Sequence, residues 1–367
     1  MSDVLALNCG SSSLKYALFQ GEEAALRGAM KIGAGGAADH RAAVHAVFDE
    51  LDRRRFARPE AVGHRLVHGG PDHLQPERVT PGLMASLAQA VPFAPLHLPA
   101  ELRAIEAVGE RFGELPQVVC FDTAFHRTLP EAAQRLPLPA ALHDSGVKRY
   151  GFHGLSYEYV VDTLGAASLG RAVLAHLGSG ASMAAVRDGR SIDTTMGFSP
   201  TGGLVMGTRS GDLDPGVLVY LLQQRGFDAD RLDRLVNHEA GLLALSGTTA
   251  DMQRLVAERA THARAALAVS VFCYQARKWV GAFAAALGGI DTLVFTGGIG
   301  EASPEVRREI CGGLGHLGVA LEDAKNEANE AIVSPQGSAC RVRVLRTDEE
   351  RQIAKHTRTV VRLDARS

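Results

Sequence analysis

A strand–glycine–strand pattern occurs twice in this chain, about half its length apart. Residues 4–19 read VLALNCGSSSLKYALF, and residues 173–186 read VLAHLGSGASMAAV. In both, an apolar run meets a polar residue, then glycine and serine, and a second strand-like run follows. Asn8 aligns with His176, Gly10 with Gly178 and Ser12 with Gly180. A repeat at this spacing implies two related domains, each opening with a hairpin. The length of 367 residues also fits two domains better than one core. Glycines at a hairpin tip leave backbone N–H groups open to one side, which is one way to cradle a phosphate.

The second copy leads into the densest polar stretch of the chain, ending at Pro215. Asp188-Gly189 predicts a tight hairpin turn. The loop beyond holds Asp193, Thr194, Thr195, Thr208, Arg209, Asp212 and Asp214. Arg209 offers a planar fork of donors that suits a phosphoryl group or a carboxylate. A polar surface hairpin is the competing reading, but so many Gly, Thr, Asp and Arg residues together favour a binding loop.

Composition narrows the class. Hydrophobic residues make up 46% and charged residues 22%, as in a soluble globular protein. The net charge is −2 with no basic block, which argues against nucleic acid as the main partner. Met1-Ser2-Asp3 leads straight into a strand, so no signal peptide is expected. Ala263–Leu287 is apolar but interrupted by Gln275, Arg277 and Lys278, which predicts a buried helix and not a membrane span. Its apolar girth exceeds what a one-faced surface helix needs, so part of it is expected at a twofold dimer interface. Cys9, Cys120, Cys273, Cys311 and Cys340 are scattered without CxxC spacing. That fits a reduced cytoplasmic location and no zinc site. Cys9 beside its Gly-Ser loop is either a reactive thiol or a small buried side chain.

In chain order, AVGHRLVHGG (61–70) ends a strand in His64, Arg65 and His68, cationic candidates for binding an oxyanion. FAPLHLPAEL follows, with Pro99 opening a helix to Phe112. Val118–Phe121 is a buried strand ending in Asp122-Thr123, and an acid at the carboxyl end of such a strand is a frequent catalytic placement. KRYGFHGLSYEY (148–159) sets Phe152 and His153 between glycines, with Ser156 as the expected cap of the next helix. Leu293–Phe295 runs into Thr296-Gly297-Gly298-Ile299-Gly300-Glu301, read as a glycine turn before a helix capped by Ser303. Thr347 and Glu350 read as a capping box for the last helix.

Together these segments resemble the acetate kinase family over nearly the whole chain. The resemblance rests on NCGSSSLKY, GHRLVHGG, APLHLP, FDTAFH, RYGFHG, HLGSGAS, DTTMGFSPTGG, MGTRSGDLDP, FTGGIGE and TDEE, in that order. It implies an α/β fold of two duplicated ribonuclease H-like, actin-like ATPase domains, each βββαβαβα, with an interdomain active-site cleft. The expected domains are 1–126 plus 351–367, and 127–350. The implied reaction is reversible transfer of the ATP γ-phosphoryl group to acetate, giving acetyl phosphate and ADP. Mg2+ would assist, with Mn2+ as the alternative metal, in a cytoplasmic homodimer joined through the second domain, with no nucleic acid and no membrane.

By that resemblance Arg65 and Arg209 hold the carboxylate and the transferring group, His176 donates to that group, and Asp122 is the essential aspartate. His153, His97 and His64 support the site; Asn8 and Glu349 lie near the metal. Val67, Leu96, His97, Phe152 and Pro200 would bind the small acid together with Arg65. Nucleotide contacts fall to Ser11, Ser13, Lys15, His176, Gly178, Ser179, Gly180, Asp251, Met252, Gln253, Gly298, Ile299, Gly300 and Ala302. Several positions depart from the family pattern. Ser179 and Ala302 stand where the family has asparagine, Gln253 where it has arginine, and Leu98 and Glu101 replace the two asparagines after the PLH motif. SPTGG (199–203) and Tyr157 are further departures. The acyl pocket lacks a polar residue for a sugar hydroxyl, and Val67 is expected to favour acetate over propionate. The alternatives are a propionate kinase, another phosphoryl donor, or an actin- or chaperone-like nucleotide-binding protein without transfer.

Overall fold

The computed structural model describes residues 3–10 and 13–364, with side chains through residue 362. Its strands are β1 (Val4–Cys9), β2 (Ser13–Gln20), β3 (Glu23–Lys31), β4 (Ala61–Leu66), β5 (Glu77–Arg78) and β6 (Gln117–Phe121), then β7 (Arg171–Leu177), β8 (Ala181–Arg187), β9 (Arg190–Thr194), β10 (Thr292–Thr296) and β11 (Arg341–Val344). Two sheets result, ordered β3-β2-β1-β4-β6-β5 and β11-β10-β7-β8-β9. Each begins as an antiparallel meander of three strands and continues through two parallel strands. β1, β2, β3, β4 and β6 thus match β7, β8, β9, β10 and β11. This is the duplicated α/β architecture implied by the sequence.

The chain divides into two units. The first comprises the chain up to Arg127, His153–Tyr159 and the segment from Asp348; the second comprises Thr128–Phe152 and Val160–Thr347. The boundaries expected from the sequence place His153–Tyr159 in the second domain. These residues group with the first because the Gly154 N–H donates to the Asp122 carbonyl at 2.9 Å and Leu155 joins the core around Phe19.

In the first unit strand alternation sorts the core onto both sheet faces. Leu5, Leu7 and Cys9 face the helix His40–Arg53, meeting Val44, Val47 and Phe48. Val4 and Ala6 face the C-terminal helix Glu349–Asp364 through Ile353 and Ala354. Gly63 lets that helix approach β4, since a Cβ there would overlap Ile353 and Thr357. Cys9 is buried and its thiol is pushed up to about 12 by burial, so the packing reading of this residue holds.

In the second unit the helix Ala263–Leu287 packs on β7–β9. It buries Ala265, Val269, Phe272, Ala276, Val280 and Phe283 at helical spacing, while Leu267 and Tyr274 stay more than half exposed. The turn joining β8 to β9 has both Asp188 and Gly189 at positive φ, +52° and +72°, as a type I′ hairpin requires. Among the described residues no helix is long and apolar enough to cross a membrane.

Three local expectations change. The helix Gly154–Leu164 starts two residues before Ser156, whose side chain is buried inside its first turn and does not stand outside as a cap. The last helix starts at Glu349, so Asp348 stands at its N-cap: its carboxylate accepts the Arg351 N–H at 3.0 Å and is held by Arg27, while Glu350 accepts from Asn8. The glycine turn after β10 is itself a short helix, Gly297–Ala302, separate from the helix Pro304–Cys311.

Candidate active site

In the first unit, polar side chains gather at the carboxyl ends of β1, β4 and β6. Asn8 and Arg65 are partners in register on β1 and β4. Asp122 follows β6 directly, and its N–H donates to the Leu66 carbonyl at 2.9 Å. Arg65 donates through Nε and Nη2 to Asp122 Oδ2, at 3.1 and 2.5 Å, and through Nη1 to the Cys9 carbonyl at 2.9 Å. A guanidinium has five N–H donors, so Nη1 and Nη2 each keep one. Arg65 is 13% exposed and Asp122 1%. Burial pushes the Asp122 carboxyl up, and the Arg65 guanidinium pulls it back. Asp122 Oδ1 is buried without a hydrogen-bond partner. A Cβ on Gly154 would overlap the Asp122 carbonyl, so this glycine is what lets the two segments meet.

Other expected residues belong to the same unit. His153 adopts φ +59°, an uncommon conformation for a side chain with a Cβ, and its backbone hydrogen-bonds Asp122. Asn8 Nδ2 donates to Glu349 Oε2 at 2.8 Å and to Glu350 Oε1 at 3.0 Å, gathering two carboxylates from the C-terminal helix. Lys15 is exposed on β2 opposite Asn8, and the Ser13 carbonyl closes the hairpin by accepting the Gly10 N–H at 2.8 Å. Ser11 lies outside the described residues. Val67 is buried, Leu96 is exposed, and His97 is the residue preceding the helix Leu98–Phe112. His64 points to the other face of β4 from Arg65, hydrogen-bonded to Gln117 at 2.8 Å, and burial lowers it to about 4.

The second unit carries glycines and small polar groups where the first carries charge. His176 pairs with Ser182 on β8 and Thr296 on β10. The Gly178 N–H donates to the Gly180 carbonyl at 3.1 Å, which makes Gly180 the counterpart of Ser13 and not of Ser12. A Cβ on Gly178 would come within 3.9 Å of His176 Nε2. The Ser179 carbonyl accepts the Gly207 N–H at 3.0 Å, and Gly207 lies against Ala250, beside Asp251. Asp251 caps the next helix by accepting the Gln253 N–H at 3.0 Å; Met252 is buried and Gln253 exposed.

Gly297 has φ +76°, and a Cβ there would meet the Leu177 backbone at 2.8–3.0 Å. Gly178–Gly180, 207–209, 250–253 and 297–300 therefore lie together at one end of adjacent strands. Gly298 and Ala302 are exposed on the short helix, with Ile299 half-buried. Arg209 donates to the Pro200 carbonyl at 2.8 Å within a loop knitted by Gly203–Asp212 and Met206–Arg209 backbone bonds. Phe152 is buried in this unit.

Sequence reasoning passed over three residues. Glu350 reads locally as half of a capping box, and its contact with Asn8 spans 342 positions. Arg307 is fully buried, with Nη1 on the Gly300 carbonyl at 2.8 Å and the rest of its fork on Asn326 and Asn329, bracing the glycine turn. Glu101 was noted only as a departure, yet it lies next to Arg65.

The model of the acetokinase family matches residues 24–355. An acetate kinase of Nitrobacter hamburgensis is 42% identical, covering 97% of this chain and 96% of that relative. Among solved structures, Porphyromonas gingivalis acetate kinase is 36% identical with a TM-score of 0.88, covering 98% of this chain and 100% of the other. A propionate kinase from Francisella tularensis is 32% identical with a TM-score of 0.92 and the same coverage.

Proposed function

This chain belongs to the acetokinase family, and from that premise we propose how its residues carry out an acetate kinase reaction. The enzyme is a phosphotransferase with a carboxyl group as acceptor, and its substrates are acetate and ATP. The observation that carries the reading is the Arg65 fork, clamped on Asp122 with one N–H each on Nη1 and Nη2 left over. Two such donors on a rigid plane match a carboxylate or two phosphoryl oxygens. Phosphoryl transfer needs positioning and charge neutralisation more than covalent help. Arg65 and Asp122 would therefore orient the acceptor, while Arg209 and His176 would meet the phosphoryl oxygens. The strained His153 backbone helps fix Asp122.

The nucleotide would lie along Gly178–Gly180, Asp251–Gln253 and Gly298–Ala302. Backbone approach is open at the exposed Ser179 and Gly298. Ser179, Gln253 and Ala302 would set donor preference. Mg2+ takes hard oxygen ligands, few of them from protein. Glu349 and Glu350 converge on the Asn8 amide, and among the described residues no cluster of three or more His, Cys, Asp or Glu could hold a metal. Such a donor set fits an ion that brings its own water and substrate oxygens, with Glu349 on its water shell. When bound, the ion would neutralise phosphate oxygens.

The enzyme is proposed to be a cytoplasmic homodimer, with a second helix joining Ala263–Leu287 at the interface. The helix Pro215–Gln224 has no buried residue, and Val217, Val219, Tyr220 and Leu222 are each over 40% exposed. An exposed apolar helix of this kind needs cover, and a second copy would provide it together with Leu267 and Tyr274. Light scattering at micromolar concentration should give twice the chain mass; Val219→Glu with Tyr220→Glu should give a monomer. A monomeric parent protein refutes this assembly.

A coupled assay with Mg-ATP tests the reaction, with acetate and propionate compared at equal concentration. Acetate is expected to be preferred, with the single methylene worth about 1–3 kcal/mol. The propionate kinase among the structural relatives keeps propionate as the second reading. Turnover with propionate alone would select it.

A further inference from the structure

Glu101 is a carboxyl group buried beside an arginine whose charge is already engaged. It stands in the first turn of the helix Leu98–Phe112 and is 3% exposed. One oxygen, Oε2, accepts the Val67 N–H at 3.0 Å. The other, Oε1, is buried with no hydrogen-bond partner and lies 4.0 Å from Arg65 Nη1. Three titratable groups act on it. Arg65 comes from β4 and Asp122 from the end of β6. The Cys9 thiol of β1 is pushed up to about 12 by burial and is neutral at pH 7. Arg65 supplies one positive charge against two carboxyls.

Two buried carboxylates against one guanidinium leave a charge uncompensated, which is costly away from water. The proton must sit on one of them. Asp122 receives two N–H bonds from Arg65 and backbone help from His153, whereas Glu101 receives one backbone N–H. More donors favour the charged form, so Asp122 keeps the charge and Glu101 keeps the proton.

We propose that Glu101 is a positioning residue for acetate binding: as a neutral acid it anchors the Val67 backbone and leaves the spare Arg65 N–H groups to the substrate carboxylate. Once ionised, Glu101 is an internal mimic of that substrate. Its Oε1 then needs only a small shift to take the Nη1 donor. Glu101 thus ties acetate affinity to its own protonation. This inference rests on the acetate kinase reading above.

Burial raises the Glu101 carboxyl to about 8, with Arg65 opposing, so the effect falls in an accessible range. The test measures KM for acetate, KM for ATP and kcat from pH 7 to 9.5 in the parent and in Glu101→Gln. In the parent, KM for acetate should rise about tenfold by pH 9, following the fraction of ionised Glu101. KM for ATP and kcat should change much less. Glu101→Gln, an uncharged isostere, should hold KM for acetate flat over the same range. Superimposable KM profiles in the two proteins overturn the proposal. A parent inactive with acetate at every pH overturns the reaction itself and not this inference alone. An infrared readout is independent of turnover. The parent should show a protonated-carboxyl band at pH 7 that fades as pH rises through about 8; absence of that band, or its persistence in Glu101→Gln, also overturns the proposal. Glu101→Asn serves the same comparison if the glutamine variant does not fold.

Discussion

The two sheets share one connectivity and place opposite chemistry at matched positions. In the first, the partner of Asn8 on the neighbouring parallel strand is Arg65; in the second, the partner of His176 is Thr296. Asp122 follows β6 in the first sheet, while Leu345 follows its counterpart β11 in the second. Where the first unit gathers charge, the second clears space with Gly178, Gly180 and Gly297. The fold supplies a strand end in both cases. What differs is whether side chains or bare backbone occupy it, so a shared connectivity does not divide the chemistry evenly.

The sharpest break of that comparison is to remove the guanidinium fork at one matched position and the hydroxyl at the other. Arg65→Lys keeps a positive charge but loses the fork on Asp122. Activity with acetate should fall roughly 10²- to 10³-fold. Thr296→Val, at the matched place, should cost less than about tenfold. Hydroxamate assays on both variants decide it, and equal losses would mean that the two ends share one role.

Acid should separate the units next. The buried histidines among the described residues, His40, His64, His68 and His126, all belong to the first. Burial lowers His64 and His68 from 6.5 to about 4. A folded value below the unfolded one means that the stabilisation is present above pH 6.5 and is lost as pH falls through about 4. By pH 4 each should cost roughly 3 kcal/mol. Hydrogen exchange at pH 4.5 should show the first unit opening before the second, and His64→Gln should narrow the gap. Simultaneous opening in both proteins would remove this distinction.

Much of this division could be read from the chain. The paired strand–glycine–strand segments announced the duplication, and motif order placed Arg65, Asp122, His176 and Arg209. Glu101 could not be read in the same way, because a charged residue in a helix's first turn ordinarily faces water. Its significance depends on the crossover that swings the helix Leu98–Phe112 under β4.

The smallest expected effect compares two glycines. Gly297→Ala forces a Cβ at φ +76° against the Leu177 backbone and should cost about 1–3 kcal/mol, raising KM for ATP without moving KM for acetate. Gly10→Ala in the matching hairpin would place its Cβ 3.4 Å from the Ser13 carbonyl, and should cost under about 1 kcal/mol. Urea unfolding and nucleotide titration measure both. The reverse order would show that the first hairpin is the stricter one.

By itself the sequence determined the repeat, the alternation that gives each strand its buried faces, the helical period of Ala263–Leu287 and the residues able to handle a carboxylate and a phosphoryl group. These follow from local rules: a period of two, a period of 3.6, and the donors a side chain carries. Tertiary structure alone decided which charges meet. Asn8 finds Glu349 across 341 positions, Arg65 finds Asp122 across 57, and Glu101 reaches Val67 across 34. Whether a carboxyl holds a proton depends on its burial and on the donors pointing at it. Those are properties of the packed chain, and no local pattern encodes them.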